Sequence, residues 1–113
     1  SWSISGIDIL RATRKQERLK SEPFKLEGAT CEFVIRLYPC ISRNGKNVSK
    51  LFLFPIIEIG TITLQVQMRV NATSRIMDPA QPVQVDKYGR GWREFCAPIE
   101  GDAIVELYIL QMG

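Results

Sequence analysis

The chain has 113 residues, 45% of them apolar, with 15 basic and 12 acidic side chains and a formal net charge of +3. That is one domain's worth of chain, able to build a hydrophobic core without a disulfide or metal staple, and its charge is too mild to argue for nucleic acid. Histidine is absent, which removes the commonest general base, the Ser-His-Asp and Cys-His arrangements, and the mixed zinc sites.

The opening WSISGIDI, residues 2–9, has apolar groups at Trp2, Ile4, Ile7 and Ile9. It starts as a strand whose register Ser5-Gly6 disturbs. RATRKQERLKSEP, 11–23, is polar and basic, with Pro23 ending any helix, and is expected to be a solvated loop or a short helix. CEFVIRLY, 31–38, alternates as a strand: Cys31, Phe33, Ile35 and Leu37 face one way, and Glu32, Val34, Arg36 and Tyr38 the other. Pro39 closes it, and SRNGKN, 42–47, is a turn. LFLFPIIEI, 51–59, is apolar on both faces, as in a centrally buried strand, with Pro55 marking a bulge or edge within it. TITLQVQMRV, 61–70, is the cleanest alternation, predicting Ile62, Leu64, Val66, Met68 and Val70 in the core. Residues 71–82 read as a loop, Val83 and Val85 as a short strand, GRGWREFC at 89–96 as a bend carrying two aromatic anchors, and AIVELYIL at 103–110 as the final strand. The spacing of short strands predicts an all-β antiparallel sandwich or barrel.

The three cysteines, Cys31, Cys40 and Cys96, lack CxxC spacing and read as reduced thiols, Cys31 and Cys96 buried, which points to a cytoplasmic or nuclear protein. No apolar run is long enough to cross a bilayer, and no secretory leader is visible. The Ser-Trp start suggests a domain cut from a longer protein. The acids are scattered and no phosphate loop or metal-ligand spacing occurs, so the expectation is a non-enzymatic domain with no cofactor.

Several segments, in order, resemble the MATH domain, also called TRAF-C or TRAF-like. Trp2-Ser-Ile4 is similar to the family's aromatic-x-Trp-x-Ile first strand, and Ser21-Glu-Pro-Phe24 to its Ser-x-x-Phe. Val34-Ile-Arg36-Leu-Tyr38-Pro followed by Asn44-Gly45 resembles its Leu-Arg-hydrophobic-Tyr strand and Asn-Gly turn. Val48 to Phe54, Gly91-Trp-Arg-Glu-Phe95-Cys96 and Asp102-Ala-Ile104 resemble later motifs of the same family. The chain departs where the glycine is preceded by Gly89-Arg90 instead of Asp-Trp, and in the short segment from Cys96 to Asp102.

The resemblance implies a sandwich of seven or eight strands over 1–113 and an adaptor or recruitment role, with a family-level link to the ubiquitin pathway. It implies binding of short extended peptides at a sandwich edge, with Arg36 and Tyr38 as peptide contacts and Gly89, Arg90 and Gly91 along the edge that pairs with peptide backbone. The residue pattern adds that Arg36 and Tyr38 share one face, where an arginine grips a carboxylate while the ring packs an apolar group. The plainer reading pairs Arg36 with an acid such as Glu32 and treats Trp92 and Phe95 as core anchors alone. Two other functions compete. One is a structural or self-association domain with no groove in use. The other is binding of nucleic acid or an anionic surface by Arg11, Arg14, Lys15, Arg18 and Lys20, although Glu17 interrupts that tract and no aromatic is interleaved to stack on bases.

Overall fold

Two antiparallel sheets face each other across one core in the computed structural model, which describes residues 1–113. In chain order the elements are β1 (Trp2–Ile4), α1 (Gly6–Lys15), β2 (Leu19–Lys20), β3 (Phe24–Lys25), β4 (Glu32–Arg43) and β5 (Lys46–Pro55). They continue with β6 (Ile62–Val70), β7 (Thr73–Ile76), β8 (Val83–Val85), β9 (Arg90–Cys96) and β10 (Ala103–Met112). The first sheet runs β1-β10-β6, with β7 and β8 lying along successive stretches of β6. The second runs β4-β5-β9, with β2 and β3 both on the outer side of β4.

The alternation of hydrophobic side chains dictates this packing. Leu64, Val66, Met68 and Val70 of β6 are buried, and Ile62 packs half-buried against the same core. Facing them from the second sheet are Phe33, Ile35 and Leu37 of β4 and Leu51 and Leu53 of β5. Each such side chain contributes about 1.5–3 kcal/mol by leaving water. Asn44-Gly45 makes the two-residue turn that joins β4 to β5 at the register Arg43↔Lys46.

The sandwich has ten strands, more than the seven or eight expected, because its edges are interrupted. Pro23 splits one edge into β2 and β3. Ser21 holds that gap closed: its N–H donates to the Ile35 carbonyl (2.9 Å) and its Oγ accepts from Ile35 N–H (2.8 Å). The stretch 71–82, read as loop, contains β7. Pro39 does not close the strand from 31: β4 bulges between Tyr38 and Ile41 and runs on to Arg43, so the turn expected over 42–47 narrows to Asn44-Gly45. The strand expected to reach residue 59 ends at Pro55, and Ile56 and Ile59 lie exposed beyond it.

The largest correction is the helix. Residues 6–15 form α1 where a disturbed strand and then a loop or short helix were expected. Ser5 caps it by accepting from Asp8 N–H, and Asp102 accepts from Gly6 N–H at 2.7 Å. Ile9 and Ala12, three positions apart, form its buried face. The bend expected over GRGWREFC is confined to Gly89, which ends a turn from Asp86, and residues 90–96 are a strand, β9. The cysteines are unbridged; Cys40 is buried, whereas Cys31 and Cys96 are only half-buried. No helix is long and apolar enough to cross a membrane.

A cation–aromatic face beside a free strand edge

The outward face of the second sheet departs from a polar, solvated pattern. Register aligns Lys20 of β2, Arg36 of β4, Phe52 of β5 and Gly91 of β9 in one row across the sheet. The neighbouring rows pair Val34 with Phe54 and Tyr38 with Lys50. Side chains two residues apart point the same way, so Arg36, Tyr38, Phe52 and Phe54 form a continuous patch. The Arg36 guanidinium carbon sits 4.1 Å from the centre of the Phe54 ring. Tyr38 meets Phe52 edge-on at 6.2 Å, Phe52 lies 6.3 Å from Phe54, and Lys50 Nζ is 5.8 Å from the Tyr38 ring.

The charge on this face is unneutralised by the protein. Asp8–Arg11, Glu94–Arg43 and Glu94–Lys46 are the ion pairs of the chain, and none involves Lys20, Arg36 or Lys50. The pairing of Arg36 with Glu32 that the plainer reading expected is therefore absent. Arg36 Nε is buried with no hydrogen-bond acceptor. A stacked guanidinium without a counter-ion is a good receptor for a carboxylate, because much of its hydration is already gone.

The glycines shape this surface from within. Gly89 has φ +78°, and a Cβ there would enter the Phe54 ring. At Gly91 a Cβ would run into the Leu51 carbonyl and the Phe52 Cα. Both glycines are thus demanded by the protein's own β5, whereas the sequence suggested that they serve an incoming backbone. Their effect on the surface is to leave the aromatic row open toward the edge.

Beyond Gly91 the edge is anchored and partly closed. Trp92 pairs with Leu51 and Cys96 with Ser49, so β9 bulges between them. Ser49 Oγ stitches the bulge, donating to the Cys96 carbonyl (3.0 Å) and accepting from Cys96 N–H (3.2 Å). Trp92, half-buried, and Phe95, fully buried, turn inward and meet at 5.4 Å. Arg75 of β7 donates to the Phe95 carbonyl at 2.6 Å, which caps that part of the edge. The open part of β9 is its first half, Arg90–Arg93, paired with β5 on one side only.

The structure brings Arg36, Tyr38 and Gly91 together and sets Arg90 apart. Arg90 pairs with Leu53, on the opposite parity from Gly91, and its Nη1 donates to the Gln84 carbonyl at 3.3 Å. Gly89 lies beneath Phe54 at the border of the patch. Phe52, Phe54, Lys50 and Lys20 belong to the patch and were missed in the sequence. The available signal was LFLF itself: a sheet with one face in water should not carry phenylalanine at both outward positions of one strand.

No cluster of acidic or cysteine side chains is arranged to hold a metal ion. Burial raises the Cys31 thiol above its ordinary range, partly offset by a hydrogen bond to the Ile56 backbone. Fold and site together define an antiparallel β-sandwich with a cation–aromatic face next to a half-open strand edge. No family model matches the chain, and no curated protein matches it.

Proposed function

We propose that the chain is a protein-interaction module, a divergent MATH/TRAF-like domain that binds short extended peptides across the outer face of β4 and β5 and along the start of β9. The observation that carries this reading is the unneutralised Arg36 stacked on Phe54, in one patch with Tyr38 and Phe52 and one strand away from a free edge. An extended peptide satisfies the unpaired backbone of Arg90–Arg93, and its side chains choose the site. The fitting sequence has an acidic residue for Arg36 and Lys50 beside an apolar or aromatic residue for Tyr38 and Phe52. Affinity is modest, since such a groove buries little area and the peptide must be ordered. An adaptor role follows, with avidity supplied where several copies are held together.

A random-peptide display selection on the chain tests the proposal. Enrichment of sequences with an acid next to an apolar residue, lost with Arg36→Ala, supports it. Absence of any enrichment, with self-association in light scattering, favours the structural reading instead.

A further inference from the structure

The helix α1 carries a second unpartnered surface, which shares with the peptide face only Lys20, just beyond the helix. Its buried side is Ile9 and Ala12. Opposite them, positions 7, 10, 11 and 14 recur every three or four residues and so form one outward stripe: Ile7, Leu10, Arg11 and Arg14. Ile7 is 73% exposed and Leu10 49% exposed. Lys15 closes the helix, and Arg18 and Lys20 follow, all exposed. Only Arg11 of this tract is in an ion pair, with Asp8 at 3.2 Å, and Glu17 is the one other acid within it. Arg14, Lys15, Arg18 and Lys20 have no acidic partner.

We infer that this helix docks on the surface of an anionic lipid bilayer. The charge selects an anionic partner, and the aliphatic pair selects a bilayer over nucleic acid. Two exposed aliphatic side chains have nothing to gain from a phosphodiester backbone, and no aromatic stands in the stripe to stack on a base. Lying flat in the headgroup region, the helix buries Ile7 and Leu10 among the upper acyl chains and keeps its cations level with the phosphates. The helix is already folded and clamped by Ser5 and Asp102, so docking orders no new chain. It holds the sandwich at the membrane without spanning it and leaves the face of Arg36 and Tyr38 free.

Flotation of the 113-residue chain with phosphatidylcholine vesicles, with and without phosphatidylserine, tests this. Binding is expected only to the phosphatidylserine vesicles and to fade as salt rises. Arg14→Ser with Lys15→Ser should lower partitioning by roughly 30-fold, at about fivefold per surface cation. Arg14→Lys with Lys15→Arg should retain it. Ile7→Ser with Leu10→Ser should lower it by about tenfold, with unchanged thermal unfolding because both side chains already face water. Equal partitioning to both vesicle types, or no binding to either, overturns the inference. So does an oligonucleotide that binds wild type and the Ile7→Ser, Leu10→Ser variant alike while vesicles bind neither.

Discussion

The two outward faces of this sandwich are built from the same strand geometry and differ in how their polar groups are used. On the first sheet, Gln65, Gln67 and Arg69 of β6 face outward and their side chains are satisfied locally. Gln67 Nε2 donates to Ser74 Oγ (3.2 Å), Arg69 Nε to the Asn71 carbonyl (2.7 Å), and the Tyr108 hydroxyl to Glu106. On the second sheet, the same positions hold Arg36, Tyr38, Phe52 and Phe54, with the cation stacked on a ring and no acid in reach. The polar groups of the first face are satisfied by its own neighbours, although Ile104, Tyr108 and Leu110 of β10 stand exposed on it. The second lacks a counter-charge and leaves aromatic surface half-exposed, which is the state in which a ligand has most to offer.

Variants that remove the anchor should have the largest effects, since they take the second face apart. Phe95→Ala leaves a cavity behind a fully buried ring and should destabilise the domain by about 3–5 kcal/mol, read by denaturant unfolding. Gly91→Val drives a side chain into the backbone of β5 and should cost about 1–3 kcal/mol or more, with peptide binding lost because β9 is displaced. Trp92→Ala should cost less than Phe95→Ala, because Trp92 is only half-buried. Unfolding of Phe95→Ala at the wild-type midpoint would show that β9 is not pinned through this ring.

Smaller effects separate the faces while the fold stays intact. Phe54→Ala removes the ring under Arg36 and should cost stability plus about 0.5–1 kcal/mol of cation–π attraction; calorimetric titration should also show weaker peptide binding. Arg69→Ala on the first face should leave peptide affinity unchanged and stability within about 0.5 kcal/mol. Cysteine chemistry gives the finest contrast. Because the folded Cys31 thiol titrates above its unfolded value, the fold favours its protonated form, and that contribution is lost as pH rises through the raised value. Alkylation of native protein at Cys31 should therefore be slow at neutral pH and accelerate only in alkali, whereas unfolded protein reacts at the ordinary thiol rate.

Parts of this architecture were plain in the sequence and parts were not, for reasons particular residues make visible. β6 was legible because its two faces differ cleanly: aliphatic groups at Leu64, Val66, Met68 and Val70, polar groups between them. β4 was legible for the same reason, and it placed Arg36 and Tyr38 on one face. The helix was hidden because Ile7 and Ile9 repeat, after a shifted register, the two-residue spacing of Trp2 and Ile4, and because its clamp, Asp102, lies at the far end of the chain. β9 was hidden because Gly89 and Gly91 read as turn residues, when both are there to let Phe54 and β5 come close. Phe52 and Phe54 were absorbed into a buried strand because apolar residues on both faces have two causes, burial on two sides or a surface kept for a partner. Only the layering tells them apart: β5 is central in its sheet, yet Phe52 and Phe54 on its outer face are only half-buried.

In the proposed function the face of Arg36 and Tyr38 receives a peptide carboxylate and the face of Arg69 does not. Calorimetric titration of a selected acidic peptide into wild type, Arg36→Ala, Tyr38→Ala and Arg69→Ala tests it directly. A loss of about 1–3 kcal/mol in binding for Arg36→Ala, a smaller loss for Tyr38→Ala and none for Arg69→Ala is the predicted result. Equal affinity in Arg36→Ala and Tyr38→Ala, with their folds intact, would contradict it.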